Sequence, residues 1–181
     1  CGKGYTVFAV RPGTRGRWTA EDMVQNVKTC IRWVKAHAAD YGINPDKLGL
    51  TGASAGGHLA ALTMVTREDG DPNAKNALAK FSTDVAAVGI FFPPTDFLQW
   101  GDGKPDFKMI DDILFEGGLA GHTPEEIEAK AAAISPALHV TQKTPPVLIW
   151  HGDADPLVPL QQSQLFVEKL KAVGTDVEFH I

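Results

Sequence analysis

Apolar residues along this chain change period, and the changes mark its elements. Tyr5-Thr6-Val7-Phe8-Ala9-Val10 reads as a first strand, and Val177-Glu178-Phe179-His180-Ile181 alternates apolar and polar as a last one. Between them, Val24, Val27, Ile31 and Val34 recur at helical spacing after a capping-box start at Thr19 and Asp22, with Gly42 as the stop. Asn44-Pro45-Asp46 turns the chain into a strand over 47–51, and a helix follows through His58-Leu59-Ala60-Ala61-Leu62. The polar stretch 67–80 reads as loop. The continuous apolar run Val85 to Phe92 suits a strand covered on both faces, ended by Pro93-Pro94.

From Thr95 to Thr144 the pattern is helical, with a cap at Thr123-Pro124-Glu125-Glu126 and a stop at Ser135-Pro136. Phe97, Trp100, Phe107, Met109, Leu114 and Phe115 load this segment with large apolar groups, which can either join the core or cover a pocket. Val147 to His151 is a further strand, and Leu165, Phe166, Leu170 and Val173 form one side of a helix closed by Gly174. Strands alternating with helices predict one α/β domain over 1–181, a doubly wound, mostly parallel sheet with 96–144 as a helical, cap-like insertion.

The chain has 181 residues and a net charge of −5, which gives no basic field for nucleic acid. No apolar stretch is long enough to span a bilayer, and no basic–apolar–small series marks a signal peptide. Compartment and oligomeric state stay open. Cys1 and Cys30 have no metal-ligand spacing and suggest no disulfide framework; Cys30 falls on the inner side of the first helix. No dinucleotide fingerprint or phosphate loop is present, since Gly101-Asp102-Gly103-Lys104 lacks the flanking strand and helix, so no cofactor and no metal are expected. The first residue is not methionine, and the last strand stops without a closing turn; the expectation is a chain lacking both ends of its domain.

Chemistry concentrates in two stretches. Thr51-Gly52-Ala53-Ser54-Ala55-Gly56-Gly57 is a G-x-S-x-G turn between strand and helix. Such a turn forces the serine toward unusual backbone angles, presents its hydroxyl, and requires Gly52 and Gly56 to lack side chains where strand and helix approach. Ala55, first in the helix, offers a backbone N–H to a developing oxyanion. The second stretch, His151-Gly152-Asp153-Ala154-Asp155-Pro156-Leu157-Val158-Pro159, sets two carboxylates on the loop after a strand, where active sites of open sheets lie. A serine hydroxyl needs a histidine to take its proton, and that histidine needs a carboxylate to orient it.

With Gly-x-Ser-Ala-Gly-Gly-His and His-Gly-x-x-Asp-x-x-Val-Pro in place, the chain resembles the alpha/beta-hydrolases, close to their esterase and lipase relatives, over nearly its whole length. The resemblance implies that Ser54 is the nucleophile, Ala55 the oxyanion donor and Asp155 the triad acid, with Asp153 only its neighbour. Gln162 and Ser163 match the family's continuation after Val-Pro and are expected on the helix surface. Two family features are absent: the His-Gly-Gly oxyanion loop, expected before Cys1, and the base histidine, expected past Ile181. His180 is the only histidine after Asp155, but it lies within a strand and reads as a sheet-face residue. His58 reads as structural, and His37, His122, His139 and His151 precede the acid. Thr95 and Asp96 either edge the pocket or, for Asp96, cap the next segment.

The resulting expectation is a serine hydrolase that cleaves a small-molecule carboxylic ester through an acyl-enzyme. Two alternatives stand beside it. The elbow is shared with peptidases of the prolyl oligopeptidase type, and without its base the chain as given would be a non-catalytic fragment or binding domain.

Overall fold

A computed structural model describes residues 2–103, 105 and 107–181. Cys1 and Lys104 therefore lie outside the described residues. Helix α1 (Ala20–Ala36) begins at the predicted capping box: the Thr19 hydroxyl accepts from the Asp22 N–H, and the Asp22 carboxylate accepts from the Thr19 N–H. It ends at Ala36, short of the expected stop at Gly42. A 3-10 turn over Ala38–Tyr41 follows, and Gly42, at φ 61°, takes the left-handed stop.

Four parallel strands form one sheet in chain order: β1 (Gly49–Ala53), β2 (Ala87–Phe91), β3 (Val147–Trp150) and β4 (Val177–His180). Their register brings Ala53, Phe91, Trp150 and His180 into one row at the carboxyl edge. Helix α2 (Ala55–Val65) follows β1 and helix α5 (Leu160–Ala172) follows β3. Both pack on one face of the sheet, where Val88, Ile90, Val147 and Ile149 meet Ala60, Ala61 and Met64 of α2 and Phe166, Val167 and Leu170 of α5. Helix α2 is buried on every side, Gly57 to Met64 without a break, because its other flank meets α1 and the segment after β2.

The apolar run of β2 is buried on that one face only. Val88 and Ile90 point into the core, while Ala87 and Phe91 are exposed on the other. On that outer face Phe91, Trp150 and His180 stack in a row, with centroids 5.0 and 5.6 Å apart.

The first strand of the sequence reading is not a strand. Tyr5 to Val10 runs without a ladder partner, and Tyr5 and Val7 are 74% and 68% exposed. A groove of about 1100 Å³ is lined by this segment on one side and by β1 on another, with Val27, Ile31 and Val34 of α1 also in its wall. Alternation favours an extended backbone, but a strand exists only when a neighbour takes its hydrogen bonds. The strand predicted over 47–51 starts at Gly49, because Pro45–Lys47 form a 3-10 turn capped by the Asn44 side chain on the Asp46 N–H.

The segment between β2 and β3 carries helices α3 (Asp111–Leu114) and α4 (Pro124–Ala133), the latter opened by the expected Thr123–Glu126 capping box. Among its large apolar residues, Phe97 and Leu114 are buried, and with Ile110, Ile113 and Ile134 they complete a core with Ala20, Met23 and Val24 of α1 and Leu59 and Leu62 of α2. Trp100, Phe107, Met109 and Phe115 pack against its margin. Arg15 forks onto Asp112 and donates to the Met109 carbonyl, and Lys130 pairs with Glu21, so both flanks of the segment are tied back to the N-terminal part. The Arg11–Arg17 loop is accordingly exposed but anchored. No helix among the described residues is long and apolar enough to cross a membrane.

Candidate active site

Because all four strands run the same way, the loops that follow them open at one edge. Three hydrogen bonds cross that edge in succession: Ser54 N–H to Phe91 O (2.9 Å), Phe92 N–H to Trp150 O (2.7 Å) and His151 N–H to His180 O (3.0 Å). Ser54 leaves β1 and Asp155 lies on the loop leaving β3, two strand spacings away, or about 10 Å at the sheet. Both belong to the same edge.

Ser54 is exposed at φ 52°, ψ −122°, a conformation that costs roughly 1–3 kcal/mol and persists only when its surroundings enforce it. The enforcing contact is steric. A Cβ on Gly52 would stand 2.3 Å from the carbonyl oxygen of Gly56. The second glycine that the close approach demands is Gly57, whose Cβ would lie 3.2 Å from both Gly52 O and Phe91 O; a Cβ on Gly56 meets nothing within 4 Å. The expectation that Gly56 must lack a side chain is thus corrected. Gly56 supplies the backbone that others approach.

The first hydrogen bond of α2 runs from His58 N–H to Ser54 O, and the Ser54 side chain caps nothing. The N–H groups of Ala55 and Gly56 precede that bond at the positive end of the helix dipole. The other non-glycine residue with a positive φ among those described is Phe92 (φ 37°), at the end of the neighbouring strand. The sequence carried no signal for it.

Asp155 is held by its own loop. Its Oδ1 accepts from the N–H groups of Leu157 (2.9 Å) and Val158 (3.0 Å), and these bonds lower its pKa below the usual carboxylate value. Asp153, two residues before it, is exposed. Beneath the loop, His151 is buried with Nδ1 2.7 Å from Ser163 Oγ and Nε2 2.8 Å from Val158 O.

Gln162 and Ser163, expected on the surface of their helix, are both fully buried. The Gln162 Oε1 accepts from the N–H groups of Thr95 and Asp96, both at 2.8 Å, while its Nε2 donates to Gln99 O and Gln161 Oε1. Thr95 returns a bond from Oγ1 to Gln162 O at 2.6 Å. Both are buried, so Thr95 is part of a latch between α5 and the segment after β2. Asp96 caps that segment through Oδ1 to the Leu98 N–H, and its Oδ2 is buried without a partner.

The six histidines have other occupations. His58 donates Nε2–H to Ile134 O at 2.7 Å, and burial pushes its pKa down to about 4. His37 stacks on Trp33, His122 on Phe115, and His139 bonds Ala132 O. His180 stacks on Trp150 and bonds Glu178 at 2.6 Å, on the outer sheet face where its alternation placed it. Among the described residues, none hydrogen-bonds the Ser54 hydroxyl, and no group of three or more His, Cys, Asp or Glu has metal-binding geometry.

Comparison with known proteins agrees with this architecture. The chain is 31% identical over 173 residues to the probable carboxylic ester hydrolase LipM of Mycobacterium tuberculosis, covering 94% of itself and 38% of LipM. It thus spans well under half the length of that curated relative. Among solved structures it resembles an acetyl ester-xyloside bifunctional hydrolase from Caldicellulosiruptor lactoaceticus (TM-score 0.77, 26% identity, 90% of this chain and 56% of that one). A truncated carbohydrate esterase from gut microbiota is similar (TM-score 0.74, 31% identity, 88% and 59%). The BD-FAE family profile matches residues 1–170. The chain belongs to the BD-FAE family and is a relative of the alpha/beta-hydrolase esterases.

Proposed function

We propose that the protein carrying this chain is a serine esterase that cleaves small-molecule carboxylic esters through an acyl-enzyme. Ser54 Oγ attacks the ester carbonyl carbon as a histidine base takes its proton, and the carbonyl electron pair moves onto oxygen. The Ala55 N–H stabilises that oxyanion at the start of α2. Collapse expels the alcohol, which takes the proton from the histidine; water then repeats the sequence on the acyl-Ser54 ester. Asp155 orients the base and stabilises its cation.

The observation that carries the reading is the pairing of a strained, exposed Ser54 with Asp155 at one sheet edge. The esterase names of LipM and of both solved structures favour esters over the peptide bonds of the prolyl oligopeptidase alternative. The test sets p-nitrophenyl acetate and butyrate beside dipeptidyl p-nitroanilides, with Ser54→Ala as control. Ester turnover lost in Ser54→Ala supports the reading. Preference for the anilides favours the peptidase, and no turnover of either by the protein carrying this chain favours a binding domain.

A further inference from the structure

His151 follows β3 at the head of the acid loop, and no step of the mechanism uses it. Its side chain is fully enclosed. Its hydrogen bonds run to the acid loop and to helix α5. Val158 O can only accept, so Nε2 carries a proton; in the neutral ring Nδ1 then accepts, and the Ser163 hydroxyl must be its donor. The carbonyl that His151 holds belongs to Val158, the residue whose own N–H binds Asp155 Oδ1. Asp155 Oδ2 lies 3.7 Å from the same Nε2 and takes no backbone bond. Toward the elbow, the His151 ring meets Phe92 edge-on at 6.5 Å, and the carbonyl just before Phe92 accepts the Ser54 N–H.

We propose that His151 and Ser163 are positioning residues for the acid: Ser163 fixes the ring tautomer, His151 fixes Val158, and Val158 fixes Asp155 through Oδ1, leaving Oδ2 for the base. The inference rests on the reading of Asp155 as the triad acid, but its geometry requires no turnover. An unfixed ring could place its bare Nε2 against Val158 O, two acceptors face to face, and the loop would yield. Nothing in the arrangement calls for His151 to accept a proton from substrate. Its enclosure excludes that role.

The test is NMR of the ring nitrogens of His151 and of the Asp155 carboxyl carbon in the protein carrying this chain, for wild type, Ser163→Ala and Ser163→Thr. The expected wild-type result is a single Nε2-protonated tautomer at neutral pH and an Asp155 midpoint below that of an exposed aspartate. Ser163→Ala should mix the tautomers and move the Asp155 midpoint upward, and Ser163→Thr, which keeps the hydroxyl, should restore both. A wild-type ring protonated on Nδ1 overturns the proposal without recourse to any variant, and so does a folded Ser163→Ala chain with wild-type signals. Because none of these signals depends on catalysis, their failure is distinguishable from a failure of Ser54 to turn over esters.

Discussion

The elbow and the acid loop lie at the same sheet edge, yet they are held in opposite ways. Around Ser54 the backbone does the holding: Gly52 and Gly57 admit the helix, the Ser54 N–H is fixed to Phe91 O, and the hydroxyl is left unbound. Around Asp155 hydrogen bonds do it: the Leu157 and Val158 N–H groups hold Oδ1, and His151, itself bonded to Ser163, braces the Val158 carbonyl. A nucleophile must be presented without a partner to compete for it, so steric confinement is the suitable restraint. A carboxylate must be aimed, and hydrogen bonds aim it.

That contrast predicts different weak points. The largest effect should come from Gly52→Ala, whose Cβ would overlap the Gly56 carbonyl; we expect a loss above about 3 kcal/mol in urea unfolding. A wild-type midpoint would contradict the steric account. Next is pH. His58, in the elbow helix, has a pKa lowered from 6.5 to about 4, so the unfolded chain takes up its proton first. Stability should fall by about 3 kcal/mol as pH drops from about 6.5 to about 4 and then level off, a slope that His58→Gln should remove. The acid loop responds lower. Asp155 is depressed in the folded state, so its contribution is present above the ordinary carboxylate range and is lost only as pH falls through the folded value.

On the acid-loop side, Gln162→Ala leaves the buried Thr95 and Asp96 N–H groups and the Gln99 carbonyl unanswered. A cost of about 2 kcal/mol is expected, read by thermal and urea unfolding. The smallest effect belongs to Gly56→Ala, where the added Cβ meets no neighbour and alanine suits a helix better than glycine. Stability should hold or rise by about 0.5–1 kcal/mol, and a marked loss would return Gly56 to the steric set.

The same contrast explains what the sequence disclosed. Sterics at the elbow restrict residue types at fixed spacing, so G-x-S-x-G was readable at once, although which glycines are crowded by the helix was not. The helix caps were readable because they are local, as at Thr19 and Thr123. Gln162 and Ser163 were misplaced because a helical pattern scores polar positions as solvent-facing, and only the tertiary structure shows that their partners are Thr95, Asp96 and His151. Tyr5 to Val10 failed for a related reason: alternation describes the backbone's preference, whereas pairing depends on another part of the molecule.

The central claim is that Ser54 is a nucleophile made reactive at this edge. The direct measurement is labelling of the protein carrying this chain with a fluorophosphonate, followed by peptide mapping of the adduct in wild type, Ser54→Ala and Asp155→Asn. The account predicts one adduct on Ser54, absent from Ser54→Ala and formed more than about tenfold more slowly in Asp155→Asn. An unlabelled Ser54 in the folded protein, or an adduct on another residue that persists in Ser54→Ala, would contradict it.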